Sequence, residues 1–311
     1  MSISFGKAAR LAEPGIPEMD FFAALVNPWF MVLLFVVAGM SARYSLEKRS
    51  SKEFAKDRTF KLLIPSIAII LIFGWVNGWI TDLEVDMFAA APVKIPFIIK
   101  YIIYCISGIG PLWFAQELYL GSMLLLLLRK IDKKDKLYQL GGKVNIIVLI
   151  IMALAVWISS FLFNTPLIEV YRNGIYLFTF FLGYYVFSHE KVTDKLVKWK
   201  WLLLGLAVVA GVGYGFLFYG ENYTTRFCLQ HIVTNLYCWF AVLAIIGCFK
   251  AWLNKTNKFA TYMTKANYAF YVLHYTVMLV YAYLWVRNTE FPLIWHYIVP
   301  LLATFITLPL L

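Results

Sequence analysis

Residues Phe30–Pro65 read FMVLLFVVAGMSARYSLEKRSSKEFAKDRTFKLLIP. An uncharged apolar run passes into a dense basic stretch, and a second apolar run then opens with Pro65 in its first turns. Arg43, Lys48, Arg49, Lys52, Lys56, Arg58 and Lys61 all lie between the two runs. A connector carrying that many cations is costly to move across a bilayer, so it stays in the cytosol. It also sets a cationic surface beside the membrane, where a soluble anionic ligand could dock. This stretch therefore predicts two membrane helices and the compartment of the link between them.

The rest of the chain extends the pattern. Of 311 residues, 62% are hydrophobic and 14% charged, and the mean hydropathy is +0.73. A soluble domain carries roughly 25% charged residues, so the deficit points to an all-α, polytopic transmembrane bundle. Nine apolar stretches approach the length needed to cross roughly 30 Å of hydrocarbon at about 1.5 Å per residue. They lie near 22–42, 61–80, 111–128, 144–163, 173–188, 201–219, 228–249, 267–286 and 294–311. Residues 95–108 are apolar but short and interrupted by Lys100, which suits an interfacial or re-entrant segment. Trp29, Trp79, Trp113, Trp199, Trp201, Trp252, Trp285 and Trp295 fall near the predicted ends, as interfacial anchors do.

Charge sorts by connector. Segments 43–61, 129–143, 189–200 and 250–265 hold seven, six, four and four Lys or Arg, which is 21 of the 28 in the chain. This positive-inside pattern places those four connectors in the cytosol and predicts a protein of the plasma membrane. The net charge of +11 is then met by anionic headgroups, and a nucleic-acid partner is unnecessary. The same pattern leaves polar residues 1–20 outside, without a signal peptide to carry them there. The chain also stops at Leu311 inside an apolar run. Both ends read as cut, with a membrane helix expected before Met1 and ten or more spans in the intact protein. Residues 1–311 read as one transmembrane domain without internal repeats.

Few groups within the apolar runs can carry chemistry. Cys105, Cys228, Cys238 and Cys248 form no CxxC, and no His or Cys spacing matches a metal site. They read as small core residues, with Cys105–Cys228 the one conceivable disulfide. Glu117 lies in LWFAQELYLG and His274 in YAFYVLHYTVML. Ionisable groups at membrane depth are functional candidates. His274 can relay a proton, or it can be a hydrogen-bonded core histidine. Glu117 can act as acid or base, or as a structural partner of Gln116, a tyrosine or an arginine. Their runs enter from opposite faces, so both could point into one interior cavity. His231 sits near an outer helix end, and His189 and His296 read as interfacial. Arg58 and Lys61, three apart at a helix mouth, could grip phosphates or snorkel to the interface.

Four motifs in this order and sidedness resemble the acyltransferase family 3 membrane proteins. FVVAGMSARYSL (Phe35–Leu46) is similar to the family's FFxxSGF helix end, and FAKDRTFKLLIP (Phe54–Pro65) to its R-x-x-R-L-x-P signature. GPLWFAQELYLGSMLLLLL (Gly110–Leu128) resembles its LWFL helix, and ANYAFYVLHYTVML (Ala266–Leu279) its late S-x-Y-x-x-YLxH helix. The resemblance covers essentially the whole chain and implies a fold of about ten helices, of which nine are present. It implies transfer of an acyl group, most simply acetyl, from cytosolic acyl-CoA to a hydroxyl on a surface glycan, lipid or small molecule. Arg58 matches the first arginine of the signature, which meets the CoA; Lys61 replaces the second and loses its planar fork. Pro65 and His274 match as well. The family's catalytic histidine lies on a first helix absent here, so Glu117 and His274 become supporting residues and the chain alone is expected to be inactive. The competing class is a transporter or flippase of an amphiphile, in which Glu117 and His274 couple protons or bind substrate. A non-catalytic assembly subunit is the third.

Overall fold

The computed structural model describes residues 17–89, 95–164, 172–288 and 292–310. The polar start of the chain up to residue 16, including Lys7 and Arg10, lies outside the described residues, as does Lys94. All regular structure among the described residues is helical. In chain order the helices are α1 (Pro17–Lys48), α2 (Ser51–Arg58), α3 (Ile64–Ile69), α4 (Trp75–Val85), α5 (Phe97–Ser107), α6 (Trp113–Ile131), α7 (Lys136–Gly141) and α8 (Ile146–Ser159). There follow α9 (Asn173–Leu182), α10 (Glu190–Lys198), α11 (Lys200–Phe218), α12 (Arg226–Gln230), α13 (Ile232–Trp252), α14 (Lys258–Asn288) and α15 (Leu293–Thr307).

Among the described residues, five helical stretches are long and apolar enough to cross a membrane: Glu18–Lys48, Ser51–Leu83, Gly110–Ile131, Lys200–Phe218 and Ile232–Trp252. Five shorter apolar helices accompany them: Phe97–Ser107, Ile146–Ser159, Asn173–Phe187, Phe270–Trp285 and Ile294–Thr307. The protein is thus an all-α membrane protein. Large apolar side chains such as Phe97, Val209 and Phe216 are mostly exposed, which hydrocarbon tolerates and water does not.

The basic connector departs from the expected loop. α1 runs on to Lys48, and α2 begins three residues later, so the cationic stretch is largely helical. The break is set by a capping box. The Ser50 hydroxyl accepts from the Glu53 N–H at 3.3 Å, and the Glu53 carboxylate accepts from the Ser50 N–H at 2.8 Å. From Ser51 the chain stays helical to Val85, but with wider π turns at Thr59–Leu63 and Ile70–Gly74 on either side of α3. Pro65 sits in the first turn of α3. Proline lacks an N–H and its ring crowds the preceding turn, so a widened turn just before it relieves the clash.

The chain divides into two compact units. The first comprises residues 21–59 and 117–255. Within it α11 and α13 form the most extensive helix pair, and Trp239 donates from Nε1 to the Leu149 carbonyl of α8 at 2.8 Å. α1 meets the end of α9 where Gly39 and Gly183 face each other; a Cβ on either would strike the other's backbone, at Phe180 or Val36. Small residues let membrane helices approach this closely.

The second unit comprises residues 60–116 and 256–310 of the described chain, with the start of α1. α4 packs on α5, and Asn77 donates to the Gly108 carbonyl at 3.1 Å. Tyr104 donates to the Asp82 carboxylate at 2.6 Å. α14 joins α4 through Ile80, Tyr275, Met278 and Leu279, and joins α15 partly through Tyr281 and Thr307, 2.7 Å apart.

Candidate functional site

Glu117 belongs to the first unit and His274 to the second, so each is built from its own surroundings. Glu117 lies one turn into α6 and is only 8% exposed. Its Oε1 accepts no hydrogen bond, and it forms no ion pair among the described residues. Burying a carboxyl oxygen without a donor is costly.

Arg172 is a buried residue that the sequence analysis did not single out. It stands just before an apolar run and is 4% exposed. Its guanidinium donates to the Pro28 carbonyl of α1 and to Asn235 Oδ1 of α13, each at 3.0 Å, while Nε has no partner. Asn235 is itself fixed, donating to the Leu229 and His231 carbonyls at 3.1 and 2.9 Å. One side chain therefore ties α1, the start of α9 and α13 together. The signal available beforehand was Asn235, an amide within an apolar run.

In the second unit, His274 lies on α14 with Nδ1 2.9 Å from the Phe270 carbonyl and 2.8 Å from that of Tyr271. A carbonyl only accepts, so Nδ1 carries the proton and the neutral ring keeps its lone pair on Nε2. Tyr271 lies one turn before it on α14. Its hydroxyl donates to the Pro111 carbonyl at 2.5 Å and accepts from the Ala115 N–H at 3.2 Å. It thereby satisfies backbone groups left open where the helix starts after Gly110. Gly110 needs its glycine, because φ is +51° and a Cβ there would press on the Tyr275 ring.

The cations of the basic stretch divide by what they touch. Arg43 is not available to a ligand. It pairs with Asp135 at 2.7 Å and Glu47 at 3.0 Å, donates to the Tyr184 hydroxyl at 3.3 Å and stacks 3.5 Å over the Tyr138 ring. Tyr138 in turn stacks on His189 at 3.8 Å, and His189 Nε2 donates to the Tyr138 carbonyl at 2.8 Å. Arg49 pairs with Asp57 at 2.9 Å. Arg58, in the first unit, is half-buried over the Phe54 ring at 4.9 Å, with Nε unpartnered. Lys61, in the second unit, is exposed within the π turn, along with exposed Lys52 and Lys56 on α2. Because the turn is widened, the three-residue offset between Arg58 and Lys61 is not that of an α-helix.

The remaining candidates are structural. His231 caps α13, its Nδ1 accepting from the Val233 N–H at 3.3 Å. All four cysteines are free thiols. Among the described residues no three His, Cys, Asp or Glu gather as a metal site.

The family model for an acyltransferase domain matches residues 5–311. The chain belongs to the acyltransferase 3 family. No curated protein and no solved structure matches it. The family match spans the basic helix start, Gly110–Leu128 and the late His274 helix alike, and it gives this membrane protein an acyltransferase assignment at the level of the family.

Proposed function

We propose that this acyltransferase 3 family member moves an acyl group, most simply acetyl, from cytosolic acyl-CoA to a hydroxyl of a surface glycan, lipid or small molecule. The family match across residues 5–311 carries the reading. The acyl-CoA is a substrate that brings several phosphates to the membrane surface. The start of the second long helix suits such an anion: Arg58 has an unpartnered Nε–H, and Lys52, Lys56 and Lys61 are exposed beside it in sequence. In this reading Arg58 and Lys61 hold the CoA phosphates.

His274 and Glu117 serve as supporting groups. An imidazole with its proton held at Nδ1 offers Nε2 as an acceptor toward an O–H. The open oxygen of Glu117 offers a second place where a proton or a hydroxyl can be received. The acyl transfer itself forms an ester at the acceptor oxygen, breaks the thioester, and releases CoA with the hydroxyl proton. Acyl-CoA binding by the purified protein tests the assignment. Saturable binding, with protection of segment 43–61 from proteolysis, is expected. Its absence removes the enzyme reading and leaves that of a transporter, which needs no thioester.

A further inference from the structure

At one end of the first unit, two spans finish at the same boundary. α11 begins at Lys200 and α13 ends at Trp252, and the two helices pack along each other. Trp201 is 66% and Trp252 50% exposed, yet their rings lie only 5.5 Å apart. Phe249 and Leu253 are exposed close by in sequence on α13 and its end. Just before α11 lies the amphipathic α10, which buries Val192 and Leu196 and turns Lys191 and Lys198 outward.

The cations at this end are not equivalent. Lys195 donates to the Val144 carbonyl at 2.7 Å, and Lys250 pairs with Asp194 and donates to Thr193, both at 2.8 Å. Those two are engaged by the protein. Lys198 and Lys255 are exposed, and Lys200 makes only a long 3.4 Å contact with the Val197 carbonyl while lying 5.9 Å from the Trp201 ring. Asp194, on the same helix as Lys198, is neutralised by Lys250 at 2.8 Å.

We propose that Lys198, Lys200 and Lys255, with the Trp201–Trp252 pair, form a binding site for an anionic phospholipid. The lysines take the headgroup phosphate and the aromatic pair takes the glycerol and upper acyl region. A soluble anion matches the lysines but leaves the apolar rings bare. A phospholipid matches both, because aromatic rings settle at the headgroup level and basic side chains are drawn to anionic lipid there. The occupant assigned is therefore a bilayer lipid and not free CoA or a protein partner.

The test is Trp fluorescence quenching in phosphatidylcholine vesicles containing brominated phosphatidylglycerol or, at equal mole fraction, brominated phosphatidylcholine. The difference between wild type and the W201F/W252F variant isolates this pair from the other tryptophans. Quenching by the anionic lipid is expected to exceed that by the zwitterionic one about threefold or more, with the preference abolished in K198Q/K200Q/K255Q. Equal quenching by both lipids overturns the site. So does a preference that survives the triple variant. Absence of quenching by either lipid shows the face to be covered by protein and also overturns it. Loss of the preference on adding free CoA assigns the lysines to the soluble ligand and equally rules out the lipid site.

Discussion

Arg172 and Glu117 pose opposite problems for a side chain in a membrane protein. Arg172 is a buried cation whose guanidinium donates to two neutral acceptors among the described residues, the Pro28 carbonyl and Asn235. Its stabilising effect lies in the two charge-assisted bonds that join three helices. Arg172→Gln is expected to lower stability by about 2–4 kcal/mol in thermal melts of the purified protein. Arg172→Lys is expected to fall nearly as far, because an ammonium cannot span both acceptors as the planar fork does. Glu117 is the reverse case, a buried acceptor oxygen without a donor. Glu117→Gln removes the ionisable group at constant shape and should leave the melting temperature unchanged or higher. If the carboxyl handles a proton during transfer, the same change should lower acyl transfer by about 100-fold or more in membranes carrying the protein. Neither environment was legible in the sequence. The charge pattern that assigns connectors to compartments counts an arginine beside an apolar run as a surface cation, and only its contacts reveal otherwise. Arg43 illustrates the same limit: seven cations in one stretch look alike on paper, yet this one is consumed by Asp135, Glu47 and two tyrosines.

At the scale of elements, hydrophobic runs located the helices well, because spanning length and lack of charge are one-dimensional properties. Each of the nine apolar runs falls on helix, although the helices that hold 61–80 and 267–286 begin well before them, at Ser51 and Lys258, and 95–108 holds the eleven-residue α5. The break between α1 and α2 was legible too, although charge distracted from it. Ser50–Ser51–Lys52–Glu53 is a capping box in plain text. Ser50→Ala should cost about 1 kcal/mol, seen as faster hydrogen exchange across residues 51–58 with little change elsewhere. The close crossing at Gly39 and Gly183 was not legible, since the partner of a glycine is not written beside it. Gly183→Leu should prevent the approach of α1 and α9 and yield little folded protein in a detergent-solubilised expression screen.

For the whole molecule, the distribution of Lys and Arg makes a claim about topology that labelling can check directly. In a background with the four native cysteines replaced, Lys134→Cys and Asn254→Cys should react with an impermeant maleimide only from the cytosolic side. Asn222→Cys should react only from the outer side. Reactivity of all three from one side would remove the placement of the acyl-CoA and acceptor in different compartments.

The two widened turns in the helix that starts at Ser51 have a consequence at this scale. Each π turn admits one residue more than an α turn, which rotates every later side chain by about 100° about the axis. Two such slips mean that no single stripe runs the length of residues 51–85. The face that the cationic mouth presents at Arg58 is handed to a different set of positions by Trp75, so the helix can be greasy all along its outside and still aim distinct residues inward at successive depths. Deleting one residue from Ile70–Gly74 would close that bulge to an α turn and leave Asn77 and Gly78 facing α5, whereas deleting one residue between Trp75 and Asn77, with the bulge intact, would rotate Gly78 away from α5.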